Sequence, residues 1–139
     1  MTKEQLKHYL QLYPKIKNEI IKGRLLIEWR QYGRKKREII PNWVLTLREY
    51  IEETLLSESE PLVVQAIQMS FIEGESDIFI FSRLPISEST FYRWKTKFVE
   101  KIYRLYIVAG YVSREEILQE VIIKSMKYVE TKKRSINFF

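Results

Sequence analysis

The chain has 139 residues, which suits one domain or a small domain with an appended arm, and 45% of them are hydrophobic. The absence of cysteine and the presence of a single histidine exclude disulfides, cysteine-ligated zinc sites and most histidine-based catalysis. A net charge of +6 favours a polyanionic partner. Only four glycines and four prolines are present, too few for the turns of a β-sandwich or barrel, so we predict an all-α fold.

The sequence also predicts a soluble protein. No apolar stretch approaches the roughly 20 residues that span a bilayer, and the opening MTKEQLKHY lacks the apolar segment of a signal peptide. We therefore expect a cytoplasmic protein with no membrane partner.

Residues 1–58 are predicted to form an N-terminal helical region. Apolar residues recur at helical spacing across Lys3–Tyr32, and Pro14 interrupts them, which indicates two helical pieces or one bent helix. The segment YGRKKREIIPN breaks the pattern and is expected to be a loop. A further helix is predicted over Trp43–Leu56, with Asn42 as its N-cap.

The polar segment SESEP follows as a linker, and residues 61–110 are predicted to form a second domain. Its elements are a helix over Leu62–Glu73, a short helix within ESDIFIFSRL, a turn, and a long helix over Glu88–Ala109. The segment IFIF also fits a short strand by composition, and we favour the helix because its neighbours are helical and Ser76 and Asp77 suit a helix cap. Residues 111–139 are predicted to form a C-terminal helix and tail, beginning at the capping box SREE.

The long helix has an apolar side and a basic side. With Ser87 as its N-cap, apolar residues recur at helical spacing from Phe91 to Leu105. Cations recur at spacings of three and four on another side: Arg93, Lys97, Lys101 and Arg104. Taken alone, this pattern also fits an ordinary solvated helix face.

The residues before the long helix favour a helix-turn-helix. Ile80 and Leu84 in the short helix, Ile86 in the turn, and Phe91 with Trp94 in the long helix have the spacing of its buried anchors. The outward side of the long helix would then enter the major groove. The predicted base contacts are Glu88, Ser89, Tyr92, Arg93 and Thr96, and the predicted phosphate contacts are Ser87, Lys95, Lys97, Lys101 and Arg104.

The residue types at these positions suit DNA in different ways. Arg93 can donate two hydrogen bonds to a guanine, and the serine and threonine hydroxyls can bond to bases or phosphates. Glu88 can accept from cytosine, or can simply interact favourably with the helix dipole. A second basic cluster in RQYGRKKRE contains Arg34, Lys35, Lys36 and Arg37. It is either a second DNA contact or a solvated loop.

The segment ISESTFYRWKTKFVEKI resembles the helix-turn-helix of sigma-factor region 4, where a turn of the form ISEST opens the recognition helix. Together with the helical opening MTKEQLKHYLQLYPKIKNEI, it makes the chain similar to small bacteriophage late-transcription activators of the RinA/ArpU/LtrC type. This resemblance implies binding to a late promoter in the bacterial host cell and recruitment of host RNA polymerase to packaging and structural genes. The sequence departs from the usual motif at Pro85 in the turn and at Phe81, where a small residue is common.

Two other functions remain open. A small terminase subunit also joins a helix-turn-helix to oligomerising helices, and would bind a packaging site. A helical protein–protein adaptor would use the basic stripe against an acidic partner. We expect no enzyme, small-molecule substrate, cofactor or metal, because adjacent acidic pairs such as Glu115 and Glu116 point apart on a helix and no catalytic set can be assembled.

The N-terminal region carries more leucine and isoleucine than one short amphipathic helix can bury alone. It either packs back on the rest of the chain or pairs with another copy. We expect a homo-oligomer, since dimers suit helix-turn-helix proteins that bind two half-sites.

Overall fold

The chain folds into helices and one β-hairpin, in a computed structural model that describes the backbone of residues 1–137 and the side chains of residues 1–129. The prediction of a mainly helical protein is confirmed, and one two-stranded hairpin is added that the all-α prediction did not include. The elements in chain order are α1 (Lys3–Ile21), β1 (Leu26–Gln31), β2 (Arg34–Ile39), α2 (Leu47–Leu56), α3 (Pro61–Ile67), α4 (Asp77–Arg83), α5 (Glu88–Val108) and α6 (Arg114–Asn137). A 3-10 turn (Asn42–Thr46) precedes α2, and a π turn (Gln68–Ile72) extends α3.

Helix α1 is continuous through Pro14, which agrees with the single-helix alternative and not with two helical pieces, and it ends at Ile21. Thr2 caps the helix in a reciprocal pair with Gln5, each side chain accepting a hydrogen bond from the other residue's backbone N–H. The Pro14 ring lies against the turn after the π segment, where a Cβ on Gly74 would come within 2.9 Å of the Pro14 Cβ. Gly74, with a φ of +72°, permits this close approach.

The segment expected to be a helix end and a loop is instead an antiparallel hairpin. Leu26 pairs with Ile39 at its base and Gln31 with Arg34 at its tip, so the loop contains two residues, Tyr32 and Gly33. Both have positive φ, of 52° and 74°, which is the requirement of a type I′ turn. The loop lacks the usual Asn-Gly signal, and five of the residues in β1 and β2 are cations, so the sequence pattern pointed away from strands.

The helix predicted over Trp43–Leu56 becomes α-helical only at Leu47. A 3-10 turn occupies its first residues, and the cap position falls on Pro41 with no side-chain hydrogen bond, so the predicted cap at Asn42 is wrong. The remaining α2 is helical to Leu56 as predicted.

The predicted helices after the linker are confirmed. Ser76 caps α4 by accepting a hydrogen bond from Phe79 N, which resolves the IFIF segment as helix. Ser87 caps α5 by accepting from Thr90 N at 3.2 Å, and Ser113 accepts from Glu116 N at the start of α6.

Two apolar clusters share α5. The large cluster joins α1, the hairpin, α2 and the π turn to the middle and C-terminal part of α5, and includes Leu10, Ile51 and Ile102. It therefore contains residues from both sides of the predicted domain boundary near residues 58–61, a boundary that stays a prediction. The small cluster joins α3 and α4 to the beginning of α5; its buried members are Ala66, Met69, Ile80, Leu84 and Phe91.

Candidate functional site

The small cluster holds the beginning of α5 against α3 and α4. Ile80 and Phe91 are fully buried, Leu84 is buried, and Ile86 and Trp94 pack partly buried against them. All five residues predicted as anchors therefore belong to one cluster. The anchors fix which side of α5 faces the protein and which side faces solvent.

Pro85 and Phe81 fit this arrangement without disturbing it. A residue before proline avoids helical backbone, and Leu84 is accordingly extended, with φ −113° and ψ 140°, which ends α4 there. The Pro85 ring is exposed. Phe81 packs edge-on against Phe91, with ring centroids 5.3 Å apart, so an aromatic contact separates the helices at this point.

The predicted base contacts all lie on the exposed side of the first part of α5. Glu88, Ser89, Tyr92, Arg93 and Thr96 are exposed. The Thr96 hydroxyl donates to the Tyr92 carbonyl at 3.0 Å, and the Ser87 hydroxyl contacts the Thr90 hydroxyl at 2.8 Å.

Tyr92 also connects α5 to α4. Its hydroxyl donates to the Asp77 carboxylate at 3.0 Å. This hydrogen bond to an anion raises the pKa of the Tyr92 hydroxyl. Tyr92 is thereby held in one orientation beside Arg93, at the first turn of α4.

Lys95 differs from the other predicted phosphate contacts. Its side chain is 24% exposed, and its amine lies 5.1 Å from the Phe91 ring centre and 5.5 Å from that of Phe71. The same amine lies 3.8 Å from the Asp77 carboxylate. Lys95 is thus directed towards the aromatic rings and Asp77, away from the exposed stripe.

Arg93, Lys97, Lys101 and Arg104 form an exposed cationic stripe along α5. The stripe extends about 16 Å, since the helix rises about 1.5 Å per residue over eleven residues. Lys101 lies 3.5 Å from the Glu58 carboxylate. Among the described residues, no hydrogen bond or ion pair engages the side chains of Arg93 and Lys97, which leaves both available to a ligand.

Glu100, a carboxylate of α5 beside this stripe, is paired with a cation of α1. The Lys3 amine is hydrogen-bonded to the Glu100 carboxylate and lies 3.1 Å from the Glu120 carboxylate of α6. Burial opposes ionisation of Glu100, but the Lys3 hydrogen bond and charge outweigh it and lower the pKa of the carboxyl. The charge of Lys3 therefore partly offsets that of Glu100.

The second predicted basic cluster lies in β2, with its cations on both faces of the hairpin. Alternation along the strand places Lys35 and Arg37 on one face and Arg34 and Lys36 on the other. Glu28 lies 2.7 Å from Arg37 and 3.4 Å from Lys35, and these two partners lower the pKa of its carboxyl. The hairpin residues 26–39 contain five cations and two anions, a net charge of +3.

An edge of α1 lies between the hairpin and α5. Gln11 lines one groove with Trp29 and Gln31 of the hairpin, and another with Tyr92 and Thr96 of α5. The lysines of α1 that line these two grooves are Lys3, Lys7 and Lys15. The hairpin and the exposed side of α5 therefore border one continuous surface.

Within the part of the chain that the structure describes, no group of three or more His, Cys, Asp or Glu residues could hold a metal ion. Over the same residues, none of the helices combines the length and apolar character needed to cross a membrane. Comparison of the chain with protein-family models, with curated proteins and with solved structures found no match.

Proposed function

We propose that this chain is a non-enzymatic protein that binds double-stranded DNA at a specific sequence, with the first part of α5 in the major groove. The observation that carries the proposal is the orientation of α5. Its apolar side packs in the two clusters, and its opposite side exposes Ser89, Arg93 and Lys97, which can bond to base edges and phosphates.

The contact arrangement follows from the positions of the side chains. Arg93 would contact a base, Lys97 and Arg104 would contact phosphates, and the N-terminus of α5 would add favourable backbone N–H groups for a further phosphate. Lys95 is left out of this set because its amine faces the aromatic rings and Asp77.

The hairpin would supply a second contact. It carries a net charge of +3, ends in Tyr32 with a 95% exposed side chain, and borders the same α1 edge as α5. Cations on a hairpin beside a helix bound in the major groove can contact phosphates, and such contacts fix the orientation of a protein on the duplex. The position of the hairpin therefore favours a DNA contact through Arg34 and Lys36 over the alternative, in which the basic cluster is only solvated.

The biological role rests on the sequence resemblance. The segment ISESTFYRWKTKFVEKI is similar to the recognition region of phage late-transcription activators. We therefore propose that the DNA is a phage late promoter and that the bound protein recruits host RNA polymerase.

Fluorescence anisotropy with the full chain tests DNA binding, using a random duplex and fragments of the late-gene region of the source phage. We expect affinity to fall linearly with the logarithm of salt concentration, with a slope of about −0.9 per phosphate contact. Arg93→Ala should weaken specific binding by about 1–3 kcal/mol and relax base preference. Lys97→Ala should weaken binding to all DNA sequences alike, and should make the dependence of affinity on salt concentration less steep.

Arg48→Ala is the matched control, because Arg48 is an exposed cation on α2 that is paired with Glu52. It should leave both affinity and slope nearly unchanged. If the chain bound no duplex at low salt, DNA binding would be rejected in favour of an adaptor. If Arg93→Ala left specific binding intact while Lys97→Ala weakened it, the proposed orientation of α5 would be wrong.

A further inference from the structure

The last helix exposes a row of large apolar side chains. Leu118, Val121, Ile122, Met126 and Val129 are between 49% and 61% exposed. Four of them recur at spacings of four, four and three residues, from Leu118 to Val129, which places them along one side of α6. Apolar rows of this kind on a soluble protein mark an interaction surface.

The buried contacts of α6, among its described side chains, lie at its beginning. Val112 is buried just before it, Ile117 packs partly buried against the large cluster, and Glu120 pairs with Lys3. From Val121 to Val129, every described side chain is exposed. A helix whose apolar side stays exposed is marginal in water, because most helix stability in proteins comes from burial of an amphipathic face. The row therefore needs a covering partner.

The charges of α6 indicate which partner fits. From Arg114 to Glu120 the helix carries three anions and one cation, and residues 121–137 carry five cations and one anion. A second copy of α6 running antiparallel would place each acidic beginning opposite a basic end. A parallel copy would place like charges opposite each other, which costs stability.

We propose that α6 is a homodimerisation element that pairs antiparallel with α6 of a second copy of this chain. The two apolar rows cover each other in a symmetric interface, in which the same surface of both copies is buried. Glu115 and Glu116 lie opposite the basic end of the other helix. This pairing does not depend on DNA binding, so the two proposals can fail separately.

Light scattering coupled to size exclusion tests the dimer with the full chain over a range of concentrations. We expect the wild type to be a dimer and the double variant Ile122→Glu/Met126→Glu to be a monomer. Leu56→Glu is the matched control, since Leu56 is an 87% exposed apolar residue on α2, and it should remain a dimer. A monomeric wild type, a larger ring, or a double variant that stays dimeric would each overturn the proposal.

Cysteine cross-linking tests the orientation without disturbing charge. The chain has no cysteine, so single Leu118→Cys and Val129→Cys variants each carry one thiol. These positions are about 16 Å apart along α6, at about 1.5 Å per residue. Antiparallel pairing predicts that oxidation of the mixed variants yields the 118–129 cross-link, because a disulfide needs Cα atoms within about 7 Å. Efficient cross-linking of either variant to itself would show a parallel pair and contradict the inference.

Discussion

Helices α5 and α6 have similar sequence patterns and opposite surroundings. Each is long, begins after a serine cap, and has apolar residues recurring at helical spacing beside charged ones. The apolar side of α5 is buried in both clusters, whereas that of α6 is about half exposed. Apolar periodicity thus identifies the apolar side of a helix, but does not determine whether the rest of the chain covers that side.

The largest expected difference between the two helices concerns stability. Phe91→Ala on α5 should lower the free energy of unfolding by about 3–5 kcal/mol, because Phe91 is fully buried and its removal leaves a cavity in the small cluster. Chemical denaturation monitored by far-UV circular dichroism measures the change. Phe79→Ala is the matched control, since Phe79 is 36% exposed. This substitution should lower the free energy of unfolding clearly less than Phe91→Ala does. Equal losses would show that the small cluster does not stabilise the fold.

A smaller effect concerns Lys3, which pairs with Glu100 of α5 and Glu120 of α6. The pKa of Glu100 lies below its ordinary value of 4.5 in the folded chain, so its stabilising contribution is present above that value and is lost as pH falls through the folded-state pKa. Glu100→Gln should therefore lower the free energy of unfolding by about 1 kcal/mol at neutral pH.

The pH dependence distinguishes this ion pair from simple packing. Denaturation of the wild type and of Glu100→Gln at a series of pH values should give free energies that converge in acid. A difference that stayed constant down to the lowest pH would show that the charge of Glu100 does not contribute. Glu4→Gln provides the control on α1, because Glu4 is exposed and pairs only locally with Lys7.

The smallest effect is expected on α6. Ile122→Ala should change the free energy of unfolding by less than about 0.5 kcal/mol at concentrations where the chain is monomeric, because Ile122 is 56% exposed. At concentrations where the chain is dimeric, the same substitution should lower the unfolding midpoint. A large loss in the monomer would show that α6 packs against its own chain, and would remove the contrast with α5.

The candidate site was predictable from sequence where it depends on the spacing of nearby residues. The caps at Ser76 and Ser87 and the burial of Ile80 and Phe91 follow from residue type and helical period, both of which act over a few neighbouring positions. The inward position of Lys95 was not predictable in this way. It depends on Phe71 and Asp77, which come from two other elements.

The hairpin shows a second limit of sequence patterns. Its turn needs positive φ at Tyr32 as well as at Gly33, and its one buried aliphatic residue, Ile27, packs in the large cluster beside α1. Short strands with many cations carry little periodic signal, so the packing of one apolar face decides their conformation.

The sequence by itself determined the helices after residue 60, their caps, the cationic stripe of α5 and the net positive charge, because these depend on residues close together in the chain. Only the tertiary structure decided that α1 runs on through Pro14, that the basic segment is a hairpin, and that α1 lies between this hairpin and α5. The exposure of the apolar row on α6 was also decided there. Each of these depends on contacts between residues far apart in sequence, whose free energies no local pattern records.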